Sequence, residues 1–284
     1  MPQKPDLAPG LYLVATPIGN LEDITLRAIR VLKECDLIAC EDTRQTQKLL
    51  NHFGIENPTI SYHEHNEASR AAELIEKLAA GARVAVVSDA GTPGISDPGF
   101  RLVTLAVERG MPVIPIPGPA AFVTALVASG LPVESFSFRG FLPAKVGARR
   151  KQLEDIRGAQ QTEILYEAPY RIRETLEDIV AVLGPTRRTV VARELTKIHE
   201  EFLRGTAAEI IEITKKRGEI KGEIVLLIGP ASEDERVVER VSIRDRVQQL
   251  MREENLDEKS ALKKVAKERG ISKSEAYREL HQRK

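Results

Sequence analysis

Alternation between short apolar runs and amphipathic helical patterns constrains this chain more than any other feature. The apolar runs in the first 117 residues are 11–15, 36–40, 84–88 and 113–117. The helical patterns between and after them are 22–33, 43–52, 66–80 and 97–109. Continuous apolar strands separated by helices are typical of a parallel sheet that is covered on both faces. The sequence therefore predicts an α/β domain with a mostly parallel sheet.

A second set of apolar runs follows with a different spacing. The predicted strands are 136–141, 162–168, 188–194, 200–205 and 222–229. The predicted helices are 119–129, 147–157, 170–183 and 206–217. Because several of these strands are close in sequence, we expect a mixed sheet with some antiparallel pairing.

Clusters of Pro and Gly and a change in composition divide the chain. We predict an N-terminal α/β domain at 10–117, a C-terminal α/β domain at 118–231 and a helical extension at 240–284. In the extension, Gly270 lies between two helical patterns. Ser272 is expected to cap the second pattern, with Glu275 three residues later. This order is typical of a helix-turn-helix.

The charges are distributed unevenly, although 42 Lys and Arg residues balance 42 Asp and Glu residues overall. Residues 236–284 contain 14 basic and 9 acidic residues, a net charge of +5. The first 235 residues therefore contain 28 basic and 33 acidic residues, a net charge of −5. A basic tail on a mildly acidic body suggests a polyanionic partner that is reached through the tail.

Cysteine content and hydropathy restrict the cellular setting. Cys35 and Cys40 are the only cysteines, so we expect no disulfide framework and a reducing, cytoplasmic environment. No apolar run approaches the roughly 18 residues of a membrane helix, so no membrane association is expected. His63 and His65 lack the further ligands of a metal site. Residues 61–67 are therefore predicted to form a solvated or substrate-facing loop, and no metal is expected.

Polar loops follow the strands of the first set, where open α/β sheets bind their ligands. In the loop 15–23, Glu22 and Asp23 would repel phosphate at a helix start, which disfavours a nucleotide-phosphate site. In the loop 40–46, either Asp42 or Thr43 is expected to cap a helix, or Glu41, Asp42 and Arg44 are expected to form a polar cluster that binds substrate or accepts a proton. Both interpretations remain open.

The loop 86–100 has the most specific composition. Asp89 directly follows a buried strand, so its carboxylate is expected at the carboxyl edge of the sheet. Gly91 and Gly94 allow the backbone to approach a ligand closely, and Pro93 and Pro98 restrict the loop. A carboxylate beside exposed backbone groups suits a ligand with cationic and hydroxyl groups, and it suits a bare phosphate poorly.

Eight motifs occur in order along residues 10 to 230. They are ATPIGNLEDITLRA, CEDTR, SYHEHNE, SDAGTPGISDPG, PGPAA, YEAPYR, VARELTK and KGE. Together they resemble the ribosomal RNA small subunit methyltransferase I family, a branch of the tetrapyrrole methylase superfamily. The resemblance implies two α/β domains of the tetrapyrrole methylase type with S-adenosylmethionine (SAM) in the cleft between them, a small helical C-terminal extension, and a homodimer.

The same resemblance implies an activity. Members of the family methylate the ribose 2′-hydroxyl of one cytidine in the decoding region of 16S rRNA, and we expect the 30S subunit to present this substrate. A small-molecule methyltransferase of the tetrapyrrole type remains the alternative, because it shares the cofactor fold. An inert nucleic-acid-binding regulator is a third possibility, which the intact Asp89 and Gly91 oppose.

Site residues follow from the resemblance, motif by motif. The implied cofactor-binding residues are Asp89, Gly91, Ile95, Ser96, Ala120, Ala121, Tyr166, Ala192 and Gly222. Two positions depart from the family pattern. Ala120 stands where members usually have Ser, which removes one hydroxyl. Tyr170 stands where they usually have His, so a histidine base is not required there.

Catalysis and RNA binding have separate candidate residues. Glu41 and Asp42 are candidate bases for a weakly acidic ribose hydroxyl, and Arg44 and Arg193 are candidate groups for orienting phosphate or charge. The candidate RNA-binding residues are Lys145, Arg149, Arg150, Lys151, Lys263, Lys264, Lys267, Lys273 and Arg278. A solvated helix start at 145–151 and a dimerising or solubilising tail are the alternatives that remain open.

Overall fold

The computed structural model describes residues 7–97, 99–232, 243–268 and 272–281. The chain divides into two compact units, one formed by residues 1–128 with 192–201 and the other by 129–191 with 202–284. The predicted α/β class with two sheets is confirmed.

The sheet of the first unit is parallel in every pair of neighbouring strands that it contains. Its strands are β1 (Gly10–Val14), β2 (Leu37–Cys40), β3 (Thr59–Ser61), β4 (Arg83–Val87) and β5 (Val113–Ile116), in the order β3-β2-β4-β1-β5. The sequence pattern predicted all of these strands except β3. That strand is three half-buried residues long, so it produces no apolar run.

Helices cover both faces of this sheet. The helices with residues in its two cores are α1 (Leu26–Glu34), α2 (Thr43–His52), α3 (Glu67–Ala79) and α4 (Phe100–Glu108). A further helix, α5 (Ala121–Ser129), follows β5. Successive residues of β4 enter different cores: Val84 and Val86 pack with α3 and α4, whereas Ala85 and Val87 pack with α1 and α2. Because both faces of the strand are buried, its sequence is continuously apolar.

The first predicted helix, 22–33, is divided in the structure. Residues 21–23 form a 3-10 turn, and Ile24 has the extended backbone of a strand. The Thr25 hydroxyl then accepts a hydrogen bond of 3.0 Å from the Ala28 N–H and caps α1. The prediction of one helix was wrong because Thr is a strong N-cap residue and a new helix begins after it.

The second unit contains a mixed sheet, as predicted. Its strands are β6 (Phe136–Phe141), β7 (Thr162–Glu167), β8 (Arg188–Arg193), β9 (Glu201–Thr206) and β10 (Ile224–Ile228), in the order β6-β7-β10-β8-β9. β6 is parallel to β7, and β10 is antiparallel to β7. The helices α6 (Val146–Glu154), α7 (Ile172–Leu183) and α8 (Ala207–Lys215) contribute to the same hydrophobic core.

The C-terminal residues form helices with a core of their own. These helices are α9 (Ile243–Glu253), α10 (Glu258–Glu268) and α11 (Lys273–His281). Leu250, Leu262, Val265 and Leu280 pack together in that core. Gly270 and the side chain of Glu275 lie outside the described residues, so the predicted turn and cap remain predictions. In the part of the chain that is described, no helix has the length and apolar character needed to cross a membrane.

Buried ion pairs fix the helices of the second unit. The Arg149 side chain on α6 is 1% exposed, and its Nε donates a hydrogen bond of 2.6 Å to Asp178 Oδ2 on α7. Arg150 Nε donates to the other oxygen of Asp178, also at 2.6 Å. Asp178 therefore neutralises a guanidinium that has almost no access to water.

The Asp178→Ala variant is expected to lose about 3 kcal/mol of free energy of unfolding, because the buried Arg149 guanidinium is then left with a longer ion-pair contact of 3.5 Å with the exposed Glu174. Urea unfolding followed by circular dichroism measures this change. The control is Glu76→Ala, which breaks an exposed ion pair with Arg109 and is expected to cost less than about 1 kcal/mol. Equal losses in the two variants would contradict the prediction.

Candidate functional site

Three loops meet at the carboxyl edge of the first sheet. They follow β1, β2 and β4, which are neighbours in the order β2-β4-β1. Because these strands are parallel, their carboxyl ends lie at the same edge, where open α/β sheets bind ligands. The loops 15–25, 41–42 and 88–99 thus combine residues that are up to about 80 positions apart in sequence.

The loop after β4 is fastened on both sides. The backbone N–H of Asp42 donates a hydrogen bond of 3.1 Å to Asp89 Oδ1. On the other side, Thr16 and Gly91 exchange backbone hydrogen bonds of 2.9 and 3.1 Å. Asp89 itself is exposed, so its carboxylate is held by the neighbouring loop and still faces solvent.

Gly91 has a backbone that favours glycine. Its φ is 85°, and a Cβ atom there would lie 3.3 Å from Ile18 Cγ2 and 3.7 Å from the Pro119 carbonyl oxygen. The next residue, Thr92, donates its hydroxyl to the same Pro119 oxygen at 3.2 Å. The loop after β4 is thereby tied to the segment that contains Ala120 and Ala121.

The end of this loop differs from the sequence prediction. The helix expected at 97–109 begins only at Phe100, and the preceding Gly99 has a φ of 141° that ends the loop. Ser96 has a φ of 60°, in the left-handed region. Asp97 therefore belongs to the loop and lies among the carboxylates of the site. The sequence contained one signal for this, because the residue before a proline disfavours helical backbone.

Carboxylates crowd this edge of the sheet. Burial, followed by the charges of Glu41 and Asp89, raises the pKa of Asp97 to about 6, against an opposing hydrogen bond from Ser88. Burial and the nearby Asp89 also raise the pKa of Glu41, whereas His63 acts in the opposite direction. Such a cluster favours a bound cation, because a positive charge would relieve the mutual repulsion.

Asp42 has a different environment from Glu41. Its Oδ1 accepts hydrogen bonds from the Arg44 backbone N–H at 2.8 Å and from Arg44 Nε at 3.1 Å, and its Oδ2 accepts from the guanidinium at 2.8 Å. These hydrogen bonds lower the pKa of Asp42 to about 2. The structure thus supports the capping interpretation for Asp42, and a carboxylate of such low basicity is a weak proton acceptor.

The histidine segment after β3 shows no metal centre. The rings of His63 and His65 have centroids 6.0 Å apart, and His63 Nε2 lies 3.2 Å from Asn66 Nδ2. Across the described residues there is no group of three or more His, Cys, Asp or Glu side chains arranged to hold a metal ion.

The remaining predicted cofactor residues lie on or beside the strands of the second sheet. Tyr166 on β7 is half-buried, and its ring makes edge contacts with Phe138 and Phe141 at centroid distances of 4.9 and 5.5 Å. Gly222 precedes β10 with a φ of 98°. Ala192 on β8 is fully buried. Arg193 Nε donates to Glu201 Oε2 at 3.5 Å.

The predicted RNA-binding residues lie on or beside α6 and in the C-terminal extension. Arg149 is buried against Asp178, so its guanidinium is unavailable to a phosphate. The prediction that Arg149 binds RNA does not fit this structure, because the side chain supports α6 instead. Arg150 is half exposed and shares the same carboxylate. In the extension, Lys264 forms an ion pair with Glu254. Of the predicted lysines there, Lys263, Lys267 and Lys273 are exposed.

Comparisons with known proteins identify the family. The model of the tetrapyrrole (corrin/porphyrin) methylases matches residues 10–211. The chain is 50% identical over 276 residues to the ribosomal RNA small subunit methyltransferase I of Halalkalibacterium halodurans, covering 96% of this chain and 94% of the relative. It is 44% identical to the protein of that name from Bacillus subtilis, covering 95% and 94%.

Solved structures share the fold at low sequence identity. A diphthine synthase has a TM-score of 0.60 and 16% identity, over 78% of this chain and 89% of that chain. The uroporphyrin-III C-methyltransferase of Thermus thermophilus, complexed with S-adenosylhomocysteine, has a TM-score of 0.54 and 19% identity, over 78% and 97%. Since the family model spans most of the chain and relatives share about half of its residues, the chain belongs to the tetrapyrrole methylases and, within them, to the ribosomal RNA small subunit methyltransferase I family.

Proposed function

We propose that this protein transfers a methyl group from SAM to the ribose 2′-hydroxyl of a cytidine in the decoding region of 16S rRNA. The observation that carries the proposal is the fastened loop after β4, in which the anchored carboxylate of Asp89 lies near the close-packed Gly91. The names of the relatives support methylation of small-subunit rRNA. The resemblance to their family implies the finer detail, that the methyl group goes to the 2′-hydroxyl of a cytidine.

The residues at the sheet edge suit SAM chemically. SAM is a sulfonium cation, and the carboxylates of Glu41, Asp89 and Asp97 form a negative region. The positive φ of Gly91 and its close packing against Ile18 hold the loop after β4 against the loop after β1. We propose that Asp89, Gly91, Ile95 and Ser96 hold the cofactor. The further proposed contacts are Ala120, Ala121, Tyr166, Ala192 and Gly222.

When bound, SAM supplies an electrophilic methyl group, and the protein has two tasks. It aligns the hydroxyl with the methyl group, which is the larger contribution to the rate, and it accepts the hydroxyl proton. We propose Glu41 as the proton acceptor, because Asp42 is neutralised by Arg44 and has a pKa of about 2. With its guanidinium bound to Asp42, Arg44 keeps that carboxylate in place, and Arg193 is proposed to orient the RNA backbone.

An assembled substrate fits the composition of the protein better than a free oligonucleotide does. Recognition of irregular RNA usually relies on shape and on bases that stack on aromatic side chains. Only 4% of the residues here are aromatic. We therefore propose that the 30S subunit provides part of the binding surface, and that the enzyme acts in the cytoplasm. Efficient methylation of a short naked oligonucleotide would count against this proposal.

A homodimer is also part of the proposal. Phe100 and Val107 on α4 are 78% and 61% exposed, and they lie two helical turns apart on one face. Exposed apolar side chains on one face are typical of a protein interface. Sedimentation equilibrium measures the expected dimer, and a monomer at micromolar concentration would exclude it.

The small-molecule methyltransferase remains the second candidate, because three of the similar solved structures are of uroporphyrin-III C-methyltransferase. The separate helical extension with its basic surplus argues against it. A small substrate would not require a distant polyanion-binding module.

Mass spectrometry of 16S rRNA nucleosides tests the function directly. A strain that lacks the gene is expected to lose one 2′-O-methylated cytidine, which the wild-type gene restores. Asp89→Ala is not expected to restore it, because loss of the anchored carboxylate weakens SAM binding by about tenfold or more. Calorimetry with SAM measures that affinity.

Asp155→Ala serves as the control for Asp89→Ala. Asp155 is an exposed aspartate at the end of α6, and its replacement is expected to leave SAM affinity unchanged. If Asp89→Ala binds SAM with unaltered affinity, the proposal that this loop holds the cofactor is wrong. If the deletion strain keeps the 2′-O-methylated cytidine in its 16S rRNA, the proposed reaction is wrong.

The methylation rate is expected to fall at acidic pH, since Glu41 must be deprotonated to accept the proton and burial, followed by the charge of Asp89, raises the pKa of Glu41. Glu41→Gln should slow the reaction by about a hundredfold because it removes the acceptor. Asp97→Asn should retain most of the rate and shift the acid limb to lower pH, because one repelling charge is lost. If only Asp97→Asn abolishes the reaction, Glu41 is not the acceptor.

Removal of the extension should separate cofactor binding from RNA binding. Truncation after Val241 is expected to leave SAM affinity intact, because α9, α10 and α11 have their own core. The apparent KM for 30S subunits should rise, and the difference from the full chain should shrink with added salt, since phosphate contacts weaken with salt. An unchanged KM and an identical salt dependence would make the tail a structural appendage.

A further inference from the structure

The segment between β8 and β9, residues 194–200, exposes an aliphatic side chain almost completely. Ile198 in this turn is 97% exposed. Burial of an isoleucine side chain is worth about 1.5–3 kcal/mol, and Ile198 gains almost none of this in the folded chain. Folding therefore does not explain why an isoleucine occupies this position.

Hydrogen bonds within the turn hold its tip rigid. The backbone N–H of Lys197 donates to the Glu194 carbonyl oxygen at 3.0 Å, and that of Glu200 donates to the Lys197 carbonyl oxygen at 3.0 Å. The Thr196 N–H donates to Glu200 Oε2 at 2.6 Å. Lys197 Nζ donates to Glu194 Oε1 at 2.8 Å. Ile198 is thus presented from a fixed backbone.

The backbone of the turn is strained. Glu194 and Thr196 have φ values of 52° and 63°, and this left-handed region is unfavourable for a β-branched residue such as threonine. Each such residue costs about 1–3 kcal/mol and persists where the surroundings impose it, often at functional sites. In addition, the buried Thr196 hydroxyl has no hydrogen-bond partner within the described residues.

The turn is seated on the loop after β1. Leu195 is buried, and a Cβ atom on Gly19 would lie 3.0 Å from the Leu195 carbonyl oxygen and would clash with Lys197 Cγ. The same loop contains Thr16, which exchanges hydrogen bonds with Gly91. The turn therefore belongs to the same compact unit as the proposed cofactor loop.

We propose that Ile198 is a wedge that inserts between bases of the RNA substrate and holds the target nucleotide out of its stack. The ribose hydroxyl has to approach the cofactor, and enzymes that modify a base extrude its nucleotide from the stack to gain the same kind of access. Rigid apolar side chains are used to separate base steps. The inference rests on the proposed rRNA substrate.

A protein partner fits Ile198 less well than RNA does. A stable protein interface buries about 800 Å² on each partner, whereas Ile198 is followed by the exposed polar residues His199 and Glu200. Ile198 is a single apolar side chain on a rigid turn, which suits insertion between two bases, and it does not form an apolar patch. We therefore assign RNA as its partner.

Single-turnover methylation of 30S subunits from the deletion strain tests the wedge. Ile198→Ser is expected to lower the rate by about tenfold or more, because base separation then lacks its apolar contact. Ile198→Leu and Ile198→Phe are expected to retain most of the rate, since each keeps an apolar side chain. SAM affinity by calorimetry and the urea midpoint should stay unchanged in all three variants.

The matched control is Leu26→Ser on α1, which replaces another aliphatic residue, 85% exposed, and should leave the rate unchanged. A full rate for Ile198→Ser, or an equal loss for Leu26→Ser, would overturn the wedge. Loss of SAM affinity or a changed sedimentation coefficient in Ile198→Ser would place the residue at the cofactor or in a protein interface and would also overturn it. If the wild-type enzyme does not methylate these subunits, the proposed function fails, and the wedge fails with it.

Discussion

The two backbone hydrogen bonds between Thr16 and Gly91 are the contact on which the candidate site depends. They join the loop after β1 to the loop after β4, while the Asp42 N–H fastens Asp89 from the other side. Three loops from distant parts of the sequence thereby become one rigid surface. A surface that is fixed before the ligand binds avoids the entropy cost of ordering it, and affinity increases accordingly.

This fixed surface also explains how the protein keeps carboxylates close together. Glu41, Asp89 and Asp97 repel one another at the carboxyl edge of the sheet, and burial adds to the rise in pKa of Glu41 and Asp97. Without a ligand the mutual repulsion is unfavourable, and a bound cation would relieve it. The buried charges of the second unit differ, because Arg149 and Asp178 neutralise each other and support the packing of α6 on α7.

The turn that carries Ile198 is a second rigid feature beside the proposed cofactor loop. It is strained, internally hydrogen bonded and seated against Gly19. A rigid sheet edge with a rigid protruding turn is consistent with a reaction whose rate depends mainly on positioning. The extension has a core of its own, so its proposed contribution concerns affinity for the substrate and not the geometry of the reaction.

The amino-acid sequence by itself determined the α/β class, the parallel first sheet and nearly every strand and helix, because these depend on local periodicity and on burial of both sheet faces. It failed at β3, which is too short to produce a pattern, and at the break between Asp23 and Leu26, where a single cap outweighs the helical spacing. Only the tertiary structure decided the roles of the charged residues. Asp42 accepts hydrogen bonds from Arg44, and Arg149 forms a buried ion pair with Asp178. The charge of Glu41 contributes to the raised pKa of Asp97. The charge state and accessibility of such groups depend on desolvation and on partners that the fold supplies, and local sequence does not encode these.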